Sequence, residues 1–347
     1  KIPGGLLFPV LILILGLKFL FGLYFSSNVI SLLGHAYFYI FILIGYIGGW
    51  QLARADLSRI IISSKLLTAV IWSVLMICVI YFIAVQIGII TYFGMGLQMY
   101  ILMAVYFSTK SSLLNHVLIF MSVIFTGKRS SLLIYLGQLI GPELSVRRRS
   151  LKSVVTGLLV FSLILYLSYQ VGIADRFQSI IDVFSEFDGS DFFANRDLFY
   201  LATSGRTEEL FAYFLDQKIS NTAWFFGQTA GYSFPITDWN GVTYDHYYFH
   251  IAPLNYIFHF GVPIGVLLIV YQFKLFTWSL KRVSSEKNIY CLLYIGYYLA
   301  NWFGAISVID IFFWVLFSYC HFYRGNINKK EQLILNKIGD DSKASRV

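Results

Sequence analysis

Long apolar runs, nearly free of charge, leave this chain few folds to choose from. They cover residues 6–24, 33–50, 66–85, 91–107, 112–125, 130–140, 154–171, 251–273, 289–304 and 308–321. Inside lipid a backbone has to satisfy its own hydrogen bonds, so runs of this kind cross a bilayer as helices. Only 13% of the residues are charged, whereas a soluble domain carries about a quarter. The expected class is therefore an all-α polytopic membrane protein with about ten transmembrane helices. The chain starts at Lys1 and not at methionine, so ten is read as a lower bound for the natural protein.

Basic residues in short loops set the orientation. Arg54, Arg59 and Lys65 share one loop, Arg147, Arg148, Arg149 and Lys152 another, and Lys274, Lys281, Arg282 and Lys287 a third. With ten spans, all of these and the basic tail fall on one side, which is then cytoplasmic. The division that follows is seven helices over 1–171, a large outer loop over 172–249, three helices over 250–323, and a polar, poorly ordered cytoplasmic tail over 324–347. The net charge of +8 reflects this orientation, and no nucleic-acid partner is expected. The three cysteines, Cys78, Cys291 and Cys320, all fall within apolar runs, so no disulfide staples the loop. No internal repeat is visible.

The interval 172–249 interrupts the apolar pattern and holds eleven of the eighteen carboxylates against four basic residues, Arg176, Arg196, Arg206 and Lys218. A connection this long between spans is usually functional. Residues 192–201 and 206–215 read as short amphipathic helices. Within the second, Arg206 and Glu209 stand three residues apart, the spacing of a local salt bridge. Aromatic residues crowd the second half, Trp224, Tyr232, Trp239, Tyr244 and Tyr247 among them. With the nearby Asp245 they suit a sugar-binding groove as well as an interfacial belt. The acidic spacing at Glu186, Asp188 and Asp191 is a weak signal for a divalent ion, and no metal site is assigned.

Arg129 stands at the expected outer end of the sixth span, where a basic residue is unusual; it is either a snorkelling interfacial side chain or a functional one. His250 closes the loop and begins the next span. Histidine is the side chain most easily tuned for proton transfer near neutral pH. His246 would share its face if the helix began one turn early. His259 reads as a packed interior residue, and His35, His116 and His321 have no partner in sequence. Asp310, near the turn between the last two spans, is a secondary polar candidate.

Three elements in this order resemble the O-antigen polymerase and ligase superfamily, the Wzy-like and WaaL-like proteins. They are Gly127-Lys128-Arg129-Ser130, Ser204-Gly205-Arg206, and His250 followed by Gly261 and Gly265. The stretch Phe226-Gly227-Gln228-Thr229-Ala230-Gly231 looks like the glycine-containing segment that those proteins carry between the second arginine and the histidine. The likeness covers about residues 126–265. Lys128 replaces the usual serine, Ile251 stands where asparagine is common, and the two glycines are one residue further apart than in the ligases. The last two departures point away from the ligase branch.

The resemblance implies a metal-independent, GT-C-like glycosyltransferase architecture without a cofactor. It implies a polyprenyl-diphosphate-linked oligosaccharide as donor and a second one as acceptor, the active site facing the periplasm from the bacterial cytoplasmic (inner) membrane. Arg129 and Arg206 would bind the diphosphate, and His250 would handle the acceptor hydroxyl. Arg196, His246, Glu209, Asp245, Trp224, Trp239 and Tyr247 are further substrate-binding candidates. A chain-length regulator is a candidate partner beside the bilayer. Two alternatives stand beside a polysaccharide polymerase. One is a ligase to lipid A core; the other, of a different class, is a lipid-linked oligosaccharide flippase or transporter. The transporter would call for charges spread through many spans, which this sequence lacks.

Overall fold

The structure, a computed structural model, describes residues 7–25, 28–55, 63–89, 96–108, 113–125, 131, 134–139, 166, 206–215, 219–237, 241–246, 248–286, 288–302 and 310–344. These are mostly helical. The elements are α1 (Leu7–Phe25), α2 (Val29–Ala55), α3 (Ser64–Gln86), α4 (Gly96–Ser108), α5 (Leu113–Phe125), α6 (Arg206–Leu210), α7 (Asn221–Phe226), β1 (Phe234–Thr237), β2 (Thr243–His246), α8 (Ala252–Glu286), α9 (Ile289–Trp302) and α10 (Ile311–Ala344). Among the described residues three helices are long and apolar enough to cross a membrane: Val29–Ala55, Lys65–Ala84 and Ala252–Val283. Shorter apolar helices include Pro9–Tyr24 and Leu114–Phe125. The chain is a membrane protein on this basis, and α1 and α3 show broad apolar faces, with Leu13, Leu20, Met76 and Ile80 all more than half exposed.

Helix α9 is the most enclosed element, with Leu292, Tyr294, Ile295, Tyr297 and Ala300 all buried. Polar side chains stitch the helices where apolar contacts alone do not fix register. Gln138 Nε2 donates to the Leu292 carbonyl at 2.9 Å, and Thr68 Oγ1 to Asn115 Oδ1 at 3.1 Å. His116 on α5 lies between the hydroxyls of Tyr106 (2.9 Å) and Tyr135 (2.8 Å), one at each ring nitrogen. A neutral imidazole donates through one nitrogen and accepts through the other, so this arrangement satisfies it completely. The histidine without a partner in sequence thus has two in space. The three cysteines are buried thiols, none of them in a disulfide.

The closest helix pair is α2 with α10. Gly45 and Gly49 lie one turn apart on α2 and let the backbones approach, as small residues do at such crossings. A Cβ on Gly45 would fall 2.3 Å from Trp314 Cβ, and one on Gly49 2.4 Å from the Val315 carbonyl oxygen. Helix α10 then continues through Ala344. The polar tail expected from Arg324 onward takes helical backbone as far as Ala344. Extending an existing helix avoids the cost of nucleating one. Ile327, Ile334 and Ile338 also keep a helical spacing through the polar sequence.

The all-α expectation needs a second amendment, because β1 and β2 form an antiparallel hairpin with Phe234 opposite His246 and Thr237 opposite Thr243. Phe234 and Ile236 are buried while Pro235 and Thr237 are exposed, the alternation of a strand with one face covered. Pro235, which has no N–H to donate, is tolerated in a strand that has only one neighbour among the described residues.

Lengthening Gly49 tests the α2–α10 crossing. Gly49→Leu is expected to lower the thermal midpoint in detergent, with a cost of about 1–3 kcal/mol for overpacking. Gly16→Ala, where an added Cβ meets nothing within 4 Å, should leave the midpoint unchanged or raise it.

Candidate functional site

Helix α8 is the part of the fold that positions His250. It is not straight. Gly261 has φ +78° and ψ 169°, conformations open to glycine and costly for other residues. Across that residue the helix folds back on itself: an added Cβ on Gly265 would lie 2.8 Å from the Ile257 nitrogen. Eight residues of straight helix would separate these positions by about 12 Å. The expected single span at 251–273 is therefore a short arm, 252–260, packed against the start of a longer one. Pro263 opens the second arm at a position where its missing N–H costs nothing.

The short arm carries the site. Asn255, fully buried, clamps the chain just before it: its Oδ1 accepts from the Phe249 N–H at 2.8 Å, and its Nδ2 donates to the Phe249 carbonyl. Next in sequence, His250 meets Glu209 of α6. One carboxylate oxygen of Glu209 accepts from the His250 backbone N–H at 2.8 Å, and the other pairs with His250 Nδ1. Glu209 is 4% exposed, whereas 42% of the His250 side chain is accessible. A carboxylate accepts here, so in the neutral ring this contact selects the tautomer with the proton on Nδ1 and the lone pair on Nε2. This is an oriented imidazole at a surface, of the kind that can take a proton from a bound hydroxyl.

Beneath this dyad lies an aromatic core separate from that of the helix bundle. Tyr213, Phe234, Phe249 and Phe258 pack with ring centres 5.1–5.8 Å apart, joining α6, the hairpin and the short arm. After α6 the chain continues as one π-helical turn, Phe211–Leu215, which places Tyr213 in that core. Burial pushes the Tyr213 phenol up to about 12, so its hydroxyl stays neutral and receives a hydrogen bond from Gln228 Nε2 at 2.9 Å.

The glycine-containing stretch at 226–231 is wedged between the loop and the helices. Gly227 and Gly261 lie backbone to backbone: a Cβ on Gly261 would come within 2.1 Å of the Phe225 carbonyl oxygen, and one on Gly227 within 2.5 Å of His259. The Gln228 N–H donates to the Phe258 carbonyl at 2.7 Å. Lys18, in the middle of apolar α1, donates to the carbonyls of Phe226 (2.7 Å) and Gln228 (3.2 Å), and His35 Nδ1 accepts from the Gly231 N–H at 2.6 Å. His259, buried as expected, stacks edge-on against His35 at 4.8 Å.

The expected site residues are brought together in part. His246 is close to His250, with ring centres 6.0 Å apart, but it stands at the end of β2 and not one helical turn upstream, since α8 begins only at Ala252. Burial is the main cause that lowers its proton affinity below the ordinary 6.5. Glu209 pairs with His250, a partner that its spacing from Arg206 did not suggest. Asp245 is exposed and accepts from Asn28 Nδ2 at 3.1 Å. Trp224 lies tilted against Phe214, ring centres 5.6 Å apart, and is partly exposed. Arg206 begins α6. Its side chain lies outside the described residues, as do Arg129, Arg196, Trp239, Tyr247, the expected helix at 192–201, and Glu186, Asp188 and Asp191. Asp310 caps α10 through a bond from the Phe312 N–H at 2.8 Å. Among the described residues no group of three histidines, cysteines or carboxylates could hold a metal ion. Lys18, Asn255 and Gln228 were not singled out in the sequence.

No protein-family model, curated protein or solved structure matches the chain.

Two outcomes test this geometry. Glu209→Ala leaves the His250 N–H without its acceptor, at about 1–3 kcal/mol; amide exchange over residues 248–250 should quicken while exchange in α9 stays unchanged. For His246 the lowered proton affinity means that the unfolded chain binds more protons below pH 6.5, so its contribution to stability is present above that pH and declines below it. Hairpin amides, corrected for intrinsic rates, should therefore lose protection between about pH 7 and pH 5, and His246→Gln should reduce the pH dependence.

Proposed function

We propose that this protein is a membrane glycosyltransferase that polymerises polyprenyl-diphosphate-linked oligosaccharide repeat units on the outer face of the bacterial cytoplasmic membrane. The observation that carries the reading is the Glu209–His250 pair, in which a buried carboxylate orients a partly exposed imidazole at the junction of the loop and the helices. Resemblance supplies the substrate class, and the order of Arg129, Arg206 and His250 supports it.

In the proposed reaction an acceptor hydroxyl oxygen attacks the anomeric carbon of the donor glycan. A glycosidic C–O bond forms as the bond between that carbon and the diphosphate oxygen breaks, and the hydroxyl proton passes to Nε2 of His250. The imidazolium so formed is stabilised by Glu209, which acts as a positioning residue. Negative charge grows on the departing polyprenyl diphosphate, and the guanidinium groups of Arg129 and Arg206 would bind it bidentately. The loop is acidic overall, so capture of an anionic donor falls to these individual arginines and not to the long-range field.

The test is polymerisation in vesicles containing lipid-linked repeat units and a chelator. The parent chain should extend the glycan into a ladder. His250→Ala and Arg206→Ala should each slow it by about 100-fold or more while inserting normally. Glu209→Gln should lower kcat with little change in KM, because it disturbs orientation and not substrate contact. Ladders from both His250→Ala and Arg206→Ala at the parent's rate would refute the assignment of the site; no ladder from a folded parent given its correct repeat would refute the reaction.

A further inference from the structure

We propose that residues 221–231 re-enter the apolar layer of the membrane, and that the Phe225 and Phe226 side chains lie among lipid acyl chains. This rests on the membrane character of the apolar helices and not on the glycosyltransferase reading.

Helices α1 and α2 serve as a ruler. Only residues 26–28 separate them, so their junction marks one face of the layer. Asn28 in that junction donates to Ser233 Oγ at 3.4 Å and to Asp245 Oδ2 at 3.1 Å, which sets the hairpin level with the helix ends. Preceding residues lie deeper. Ala230 packs on Gly22, three residues inside the end of α1: an added Cβ there would touch Ala230 at 2.4–2.9 Å. Gly231 is bound by His35, six residues inside α2, at a depth of about 9 Å. Phe226 and Gln228 are bound by Lys18, seven residues inside α1, at about 10 Å. A lysine side chain can reach toward the surface, and a histidine a few ångströms, but Gly22 has no side chain to extend and still places Ala230 about 5 Å inside the end of α1, so all three put the segment on the inner side of that end.

The polarity of the segment suits this position. The carbonyls of Phe226 and Gln228 and the N–H groups of Gly227, Gln228 and Gly231 all have protein partners, the condition for irregular backbone at membrane depth. Outward, beside the exposed polar Asn221, Thr222 and Thr229, the segment shows two large rings: Phe225 is 59% and Phe226 60% exposed. At the same level α1 presents Leu17, Leu20 and Phe21. Acyl chains are the occupant whose chemistry matches all five.

Nitroxide depth measurement in nanodiscs decides the matter, since the native cysteines are buried and serve as an unlabelled background. Labels at Phe226→Cys and Phe225→Cys would be compared with Met76→Cys on the exposed face of α3 and with Thr243→Cys in the hairpin. Collision with oxygen over collision with a soluble nickel chelate reports depth. The expected result is that labels 225 and 226 follow label 76, and that Lys18→Ala shifts label 226 toward water. If labels 225 and 226 follow label 243 while label 76 stays protected, the segment is aqueous and the proposal fails. If label 76 is itself open to nickel, the membrane reading of α3 fails and the proposal with it.

Discussion

Backbone polar groups brought in among apolar helices have to find partners within the protein, because nothing around them can supply a hydrogen bond. The fold around His250 is organised by that requirement. The turn at Gly261 and the neighbouring stretch 226–231 are both irregular, and each covers the other. The Gln228 N–H takes the Phe258 carbonyl, Lys18 takes two carbonyls of the stretch, and His35 takes the Gly231 N–H. Remove the close backbone contact between Gly227 and Gly261 and these bonds lose their geometry together.

This dependence explains the pattern of glycines. Gly227, Gly261 and Gly265 occupy points where two backbones meet with no room for a side chain, and Gly261 also adopts a left-handed φ. In the sequence the first belongs to one element of the resemblance and the other two to another. In space Gly227 and Gly261 touch, so two separated pieces of sequence form one structural joint. The short arm 252–260 owes its direction to that joint, and with it the placement of His250 above the aromatic core.

Much of the helical architecture was legible because apolar periodicity and run length are local properties: 6–24, 33–50 and 66–85 correspond closely to α1, α2 and α3. The short helix at 206–215 was legible for the same reason. What the sequence hid are contacts across long separations. Lys18 is 208 residues from Phe226 and His35 196 from Gly231. A lone lysine in an apolar run carries no sign of the carbonyls it will meet. Glu209 was legible as an ionic partner but not as the partner of His250, because helical spacing offered Arg206 three residues away. The sequence ties His246 to the helix only on the condition that the helix begins a turn early; the strand that holds it covers four residues and shows no alternation of buried positions. The helical course of the polar end of α10 was not legible from composition, which carries no information about a helix already under way.

Glu209 holds the backbone of residue 250 with one oxygen and its imidazole with the other. The hold of α6 on residue 250 and the aim of the histidine thus share one carboxylate, while the rest of the loop is tied down elsewhere. An event that lifts α6 from the short arm therefore also frees the ring to rotate. In the proposed reaction this makes the orientation of the base depend on the seating of α6, so a site with α6 displaced would have no oriented proton acceptor.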